Sequence, residues 1–415
     1  MIGRYPKYSI IIPCHNGAAY LPNCIDTIVG QRYDNYELIL SDDHSTDGTD
    51  AYLKALEHPK VKVIYCPERL SMTEHWEFAL SHACGEWLMF VGQDDGLQPY
   101  FFVLADRLTE IAQKKNLRTI MSERAYFFWQ GCEHVYGDIA VAYHARNART
   151  VRNCRLEGLK ALLGLRQYFD LPEMYTTSLF HRDIIAEAKL RQGGRLLVTH
   201  PQDANLAAIA CSLEKKYLMS FIPLGWVGSS PKSAGMAITC DATKHKMEKG
   251  ELELKNEYLN KIEKSKLEYS NLAGDFEFAN LSIYFWQSCL KTQNLRSSFI
   301  NKILYRKIFK IVFFCQVLNE VKKSDKSSVR LSMFNEIVRR NGCDIVLIRF
   351  GSLITFSITA IFLWLSGLSK RLQVKFLNHV NYVATWSNDV GMSMLKASNI
   401  VDKLVTARGW LKFTS

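Results

Sequence analysis

Trp87-Leu88-Met89-Phe90-Val91 runs directly into Gly92-Gln93-Asp94-Asp95-Gly96. Five consecutive apolar residues read as a buried strand. Two adjacent carboxylates stand at its carboxyl end, and Gly96 and Pro99 then turn the chain. Adjacent acids repel, and burial disfavours the charge of each. A divalent cation facing a diphosphate removes that cost, and hard carboxylate oxygens suit Mg²⁺ or Mn²⁺. Taken alone, Asp-Asp-Gly is also an ordinary surface turn. The segments upstream decide between the two.

Tyr8–Ile12 is a β-branched run closed by Pro13, and Cys14-His15-Asn16-Gly17 forms the turn after it. Leu21, Cys24, Ile25, Ile28 and Val29 recur at helical spacing up to Gly30. A second strand, Glu37–Ser41, enters Asp42-Asp43-His44-Ser45-Thr46-Asp47-Gly48-Thr49, a segment rich in helix-capping residues. A third strand, Val61–Tyr65, and a helix over 72–83 lead into Trp87–Val91. This alternation predicts a parallel sheet with crossover helices. In such sheets ligands collect beyond the carboxyl ends of the strands, where the clusters around His15, Asp43 and Asp95 all fall. No Gly-x-Gly-x-x-Gly follows the first strand, which argues against a dinucleotide-binding dehydrogenase.

The stretches IIPCHNGAAYLPNCIDTIVGQRYDNYELILSDDHSTDGT and HACGEWLMFVGQDD resemble, in order and spacing, the inverting family-2 glycosyltransferases. The resemblance covers roughly residues 8–100. It implies a GT-A fold, a Rossmann-like, mostly parallel sheet flanked by helices, and a nucleoside-diphosphate sugar donor with UDP favoured. Pro13, His15 and Asn16 then line the nucleotide. Asp43 accepts a hydrogen bond from the base, as a carboxylate facing a uracil N–H would, and Arg69 contacts base or diphosphate. Asp94 meets ribose or metal and Asp95 ligates the metal. Many members read Asp-x-Asp-Asp here, whereas this chain has Gly92 in the first position. For Ser45 and Asp47 simple capping of the next helix is the better reading.

Further on, a helix over 100–114, a strand at Thr119–Ser122, an aromatic run at 126–129, a strand over Met174–Phe180 and a helix over 182–191 are expected. Thr199-His200-Pro201-Gln202-Asp203 then opens a helix with Leu206, Ile209, Ala210 and Leu213 on one face. Asp203 is either a first-turn acid favoured by the helix dipole or, by the resemblance, the catalytic base, with His200 a weaker second. Inversion needs a base within hydrogen-bond reach of the attacking hydroxyl. The transition state is oxocarbenium-like and favours a nearby negative charge. Gly, Ser and Pro density over 222–235 predicts a loop. There Trp226 either stacks on a sugar or fills the core, and Lys232 meets a diphosphate.

The chain has 415 residues, 48% hydrophobic and 22% charged, with a formal charge of +11 concentrated after residue 290. That charge is assigned to an anionic membrane surface and not to nucleic acid. Eleven scattered Cys without a Cys-x-x-Cys pair suggest neither a zinc cluster nor a disulfide framework, and reduced cytosolic thiols fit best. The N-terminus lacks the apolar core of a signal peptide. Residues 299–314 combine Lys302, Arg306 and Lys310 with an apolar face, which suits a helix on lipid or one packed on the domain. The uncharged run 350–368 is just long enough to span, to insert or to pack at a homodimer interface. The expected organisation is a transferase domain over 1–240, a charged helical region over 241–340, and an apolar helix with tail over 341–415. Its expected location is the inner face of the cell membrane. A chain ending near residue 295 should then stay soluble and keep the nucleotide site. The implied function is metal-dependent transfer to a glycan or lipid-linked acceptor. The alternative is a non-catalytic membrane scaffold, and Gly92 is its best support.

Overall fold

The computed structural model describes residues 5–162, 165–233, 282–295, 310–319, 331, 334–335, 338–339, 342–353, 382–387 and 392–411. The expected alternation is present. β1 (Tyr8–Cys14), α1 (Leu21–Val29), β2 (Tyr36–Asp42), α2 (Thr49–Ala55), β3 (Val61–Tyr65), α3 (Met72–Ser81) and β4 (Trp87–Phe90) follow one another. β1 lies between β2 and β4, parallel to both, and β2 pairs parallel with β3. β1 and β4 are buried on both faces, which is why they read as continuous apolar runs instead of alternating ones. α3 starts with a capping box in which Ser71 and Glu74 satisfy each other's backbone N–H groups.

The sheet continues to eight strands in the order β3-β2-β1-β4-β10-β6-β11-β9. The intervening elements are β5 (Gly96–Leu97), α4 (Phe101–Lys114), β6 (Thr119–Ser122), β7 (Ala125–Phe128), α5 (Glu133–Tyr136), β8 (Ile139–Ala145), β9 (Arg149–Asn153), α6 (Cys154–Leu162), β10 (Ser178–His181), α7 (Arg182–Arg191), α8 (Gln202–Leu213) and β11 (Lys216–Ser220). β10 runs antiparallel to both its neighbours. The predicted strand over Met174–Phe180 is therefore shorter. Residues 175–177 form a turn, with only a bridge from Tyr175 to Phe90.

The loop expected over 222–235 is in part a strand. β12 (Gly225–Ser229) pairs with β5 and β7 in a second sheet of order β13-β8-β7-β12-β5. Glycine is rare in strands, but here it permits a close approach: a Cβ on Gly228 would collide with the Asp94 carbonyl.

The end of the chain closes the first domain. β13 (Tyr382–Ser387) adds to β8, and α10 (Met394–Ala407) buries Met394, Ala397, Val401 and Val405 in the same core as α1, α4 and Trp226. On the other face of the large sheet, α9 (Ser282–Lys291) and helical residues 310–319 join α3, α6, α7 and α8. Phe313 and Phe314 are buried there, so this part of the basic helix packs on the domain. The rest of 299–314, all of 241–266 and residues 354–368 lie outside the described residues. Among the described residues no helix is long and apolar enough to cross a membrane.

A chain ending near 295 would lack β13 and α10, which pack on β8 and in the core beside α1 and Trp226. Deleting residues 382–411 removes five buried apolar residues, Met394, Ala397, Val401, Val405 and Trp410, and should abolish the cooperative unfolding transition. The milder Met394→Ala should cost about 2–5 kcal/mol, the usual range for a buried Met. Denaturant unfolding followed by tryptophan fluorescence measures both.

Candidate active site

The loops after β1, β2 and β4 meet at one edge of the sheet. The Gln93 side chain clamps the first loop: its Oε1 accepts from the His15 N–H at 3.0 Å and its Nε2 donates to the His15 carbonyl at 3.0 Å. His15 Nδ1 lies 2.9 Å from the Asp43 carbonyl, and Asn16 is tied to the next loop by the Ser45 hydroxyl at 2.9 Å and the Thr46 N–H at 2.8 Å. Pro13 pairs with Ser41 just below. Asp43 is buried, its carboxylate held by Arg69 and by the Leu70 N–H at 3.0 Å. Asp43 and Arg69, each separately expected at the nucleotide, are thus brought together. Asp42 accepts from the Ser45 N–H at 3.2 Å, as a turn-forming acid does. Asp47 accepts from the Thr49 N–H at 3.1 Å and its hydroxyl at 2.6 Å, a capping role.

The two acids of the central motif face opposite ways. Asp95 is 1% exposed. Its carboxylate accepts from the Gly92 N–H at 2.9 Å, the Gly228 N–H at 2.6 Å and the hydroxyls of Thr176 and Tyr175. These four donors engage both oxygens of Asp95, the residue that the resemblance assigns to the metal. Asp94 is half-buried, with the Ser230 hydroxyl 2.7 Å from Oδ2. Burial, and then the charge of Asp95, push its carboxyl up to about 7. Asp94 is the more open of the two acids and could hold a divalent cation. Among the described residues no three acidic, His or Cys side chains are grouped to hold one, so the remaining ligands would be diphosphate oxygens and water.

Gly92, the missing acid, has a physical explanation. A Cβ there would collide with the Tyr175 hydroxyl and lie 2.8 Å from Asp95 Oδ2. Tyr175, stacked on Trp76 at 5.6 Å, occupies the space. Two donor-site expectations fare differently. Trp226 is fully buried with its indole N–H on Ser398 Oγ at 2.9 Å, so it fills the core and cannot stack on a sugar. Lys232 is exposed and lies within electrostatic reach of Asp47, beside the first loop.

Asp203 sits in the first turn of α8. Its oxygens accept from the Ala204 N–H at 2.8 Å and the Tyr168 hydroxyl at 3.2 Å. Burial raises its carboxyl above the usual range, against those donors and Arg124. His200 is buried and pushed down to about 4, a neutral imidazole. Burial, and then the charges of Asp95, Asp94 and Asp203, raise the Tyr175 hydroxyl well above its usual range. Glu173 was not anticipated from sequence. It is 1% exposed, paired through Oε1 with Arg124, while Oε2 is buried without a hydrogen bond, and burial pushes it up to about 8. Its flanking Pro172 and Met174 give no periodic signal.

Comparison with known proteins supports the first hundred residues as a unit. Residues 9–113 match the model of the glycosyl transferase family 2. A PGL/p-HBAD biosynthesis glycosyltransferase of Mycobacterium bovis is 36% identical over 109 residues, 26% of this chain and 41% of that protein. Glycosyltransferase GlyA of Streptococcus pneumoniae is 28% identical over 138 residues, 32% of this chain and 19% of that protein. The chain thus covers less than half the length of these curated relatives. The structure of S. aureus TarS with UDP-GlcNAc aligns over 82% of this chain and 93% of that one at 13% identity with a TM-score of 0.41, too distant to assign anything here.

Two outcomes follow from this geometry. Gly92→Ala should destabilise by about 1–3 kcal/mol, as overpacking does. Combined with Tyr175→Phe, which removes the colliding hydroxyl, the costs should be clearly non-additive in a double-mutant cycle. The raised carboxyls also set the pH dependence. Asp94 and Glu173 hold their protons to about 7 and about 8 in the fold but release them near 4 when unfolded. The native state therefore binds more protons between those limits, and metal-free stability should fall as pH rises from 5 to 8. Thermal unfolding across that range should show the fall, and Asp94→Asn should make it shallower.

Proposed function

We propose, on the premise that residues 9–113 are a family-2 glycosyl transferase segment, that this protein transfers a sugar with inversion from a nucleoside diphosphate to a hydroxyl acceptor. The acceptor would be a glycan or lipid-linked precursor of a cell-surface polysaccharide. The observation that carries the reading is the meeting of the loops after β1, β2 and β4 at one sheet edge, where Gln93 clamps His15 and Asp94 stands half-buried against Ser230. The first loop, with His15 and Asn16, and the pair of Asp43 and Arg69 would hold the nucleoside, UDP being the favoured donor. Lys232 would approach the diphosphate.

Asp203 would take the proton from the attacking hydroxyl as the new bond forms. A carboxyl raised by burial is a stronger base than a free one, and its activity should rise with pH above the usual carboxylate range. Tyr168 and the Ala204 N–H fix its orientation. When bound, Mn²⁺ or Mg²⁺ would neutralise charge developing on the leaving diphosphate, with Asp94 its protein ligand. Asp95 would hold the turn that presents Asp94. The scaffold alternative rested on Gly92, and the Tyr175 packing accounts for Gly92 without loss of the site.

Membrane attachment belongs to the same reading. Helical residues 345–353 leave Val346, Leu347, Phe350 and Leu353 exposed beside Arg349, which suits insertion into an anionic surface. Flotation with anionic vesicles at low and high salt checks it. Protein left out of the lipid fraction at low salt would point to homodimer packing.

The test of the reaction is UDP release from UDP-sugars with Mn²⁺. Asp203→Asn should lower turnover by roughly 10²-fold or more and leave UDP affinity within about twofold. An equal loss of UDP binding would make Asp203 a donor-site or structural residue, and no UDP release from any donor would return the scaffold reading.

A further inference from the structure

The carboxyl edge of the large sheet continues past Asp203 to a charged patch that donor and base leave unused. β6 and β11 run parallel and end side by side, Ser122 against Ser220. The residues that follow, Glu123, Arg124 and Phe221, therefore share that edge. β9 runs antiparallel to β11 and begins there, Arg149 opposite Ser220. The Arg146 N–H donates to the Phe221 carbonyl at 3.0 Å, and its guanidinium carbon lies 3.7 Å from the centroid of the Phe221 ring. The guanidinium carbon of Arg152 lies 5.3 Å from the same ring.

Both arginines are half-buried, and among the described residues neither closes an ion pair with a carboxylate. Neighbouring Arg166 is already matched by Glu157 at 3.0 Å. Glu123, which feels the charge of Arg152, is raised toward its neutral form by burial, although His144, Arg152 and Arg166 oppose this. Two like charges gathered on one ring repel. Cation–π attraction offsets part of that cost, and an anion between them would offset the rest. Planar guanidinium forks match phosphate oxygens in geometry as well as charge. The patch is also joined to the base. Arg124 donates to the Phe169 carbonyl at 2.7 Å and pairs with Glu173, and Tyr168, adjacent to Phe169, donates to Asp203.

We propose that Arg146 and Arg152 form an anion subsite for the acceptor, which therefore carries a phosphate group near the hydroxyl presented to Asp203. The link to an acceptor rests on the glycosyl-transfer reading, whereas the anion site itself does not. The phosphate belongs either to a soluble phosphorylated glycan or polyol, or to a lipid headgroup.

The experiment uses the full chain with excess UDP, so that the donor diphosphate site is filled. Glycerol 3-phosphate and uncharged glycerol are titrated by calorimetry, and vesicles of phosphatidylglycerol and of phosphatidylcholine are compared by flotation. Glycerol 3-phosphate should bind and glycerol should not. Arg146→Gln with Arg152→Gln should weaken that binding about tenfold or more, as expected on losing charge-assisted hydrogen bonds, with UDP affinity unchanged. Binding to phosphatidylglycerol alone, lost in the same variant, supports the subsite and assigns the phosphate to lipid. Should the double variant fail to fold, Arg146→Lys with Arg152→Lys keeps charge but not the fork and should weaken binding by a smaller factor. Equal binding by variant and parent, or no preference for either phosphate probe, overturns the proposal. Arginine-dependent phosphate binding in a protein that binds no UDP would leave the subsite standing and remove the glycosyltransferase reading.

Discussion

One buried carboxylate ties the site together. Asp95 collects donors from three parts of the chain: its own turn through Gly92, the segment before β10 through Tyr175 and Thr176, and β12 through Gly228. A carboxylate out of water is costly unless its lone pairs are filled. Here that requirement forces three segments into a fixed relation. Asp94 is presented outward because Asp95 is held inward. Tyr175 takes its place in the same way, its hydroxyl on Asp95 and its ring stacked on Trp76.

The first hundred residues were legible because each element carries its own period. β1 and β4 are unbroken apolar runs, α1 has a single apolar face, and the polar turns come at the carboxyl ends of strands. Position was legible where an element's start sets it, as with Asp203 in the first turn of α8. It was misread where neighbours in sequence diverge in space. Asp94 and Asp95 look equivalent on paper, yet they sit in a turn closed by the Asp95 N–H on the Gly92 carbonyl, and only Asp95 meets the donors of Gly92, Thr176 and Gly228. Glu173 was missed because a non-periodic loop gives no cue. β12 was taken for a loop because its glycines serve close approach, a property of the partner and not of the segment.

The C-terminal segments show the same limit. Nothing local in Tyr382–Ser387 marks it as a strand of the second sheet, and the apolar positions of α10 suggest only an amphipathic helix. Their place is set by what they cover: Trp226, Gly96 and the back of α1. The site therefore depends on residues that never approach a substrate. A change at Met394 would reach Asp94 through Gly96, the residue that follows the acid pair.

The bond between Trp226 and Ser398 closes a loop of 172 residues. On a ribosome adding roughly 5–20 residues per second, the partner of that indole emerges on the order of 10–30 s after it. Through that interval the face of β12 behind the acid pair stands bare to water and to other chains. Maturation of the site is therefore a late event in synthesis, and the newly made protein has a period in which a chaperone or an aggregate can compete with its own C-terminal helix.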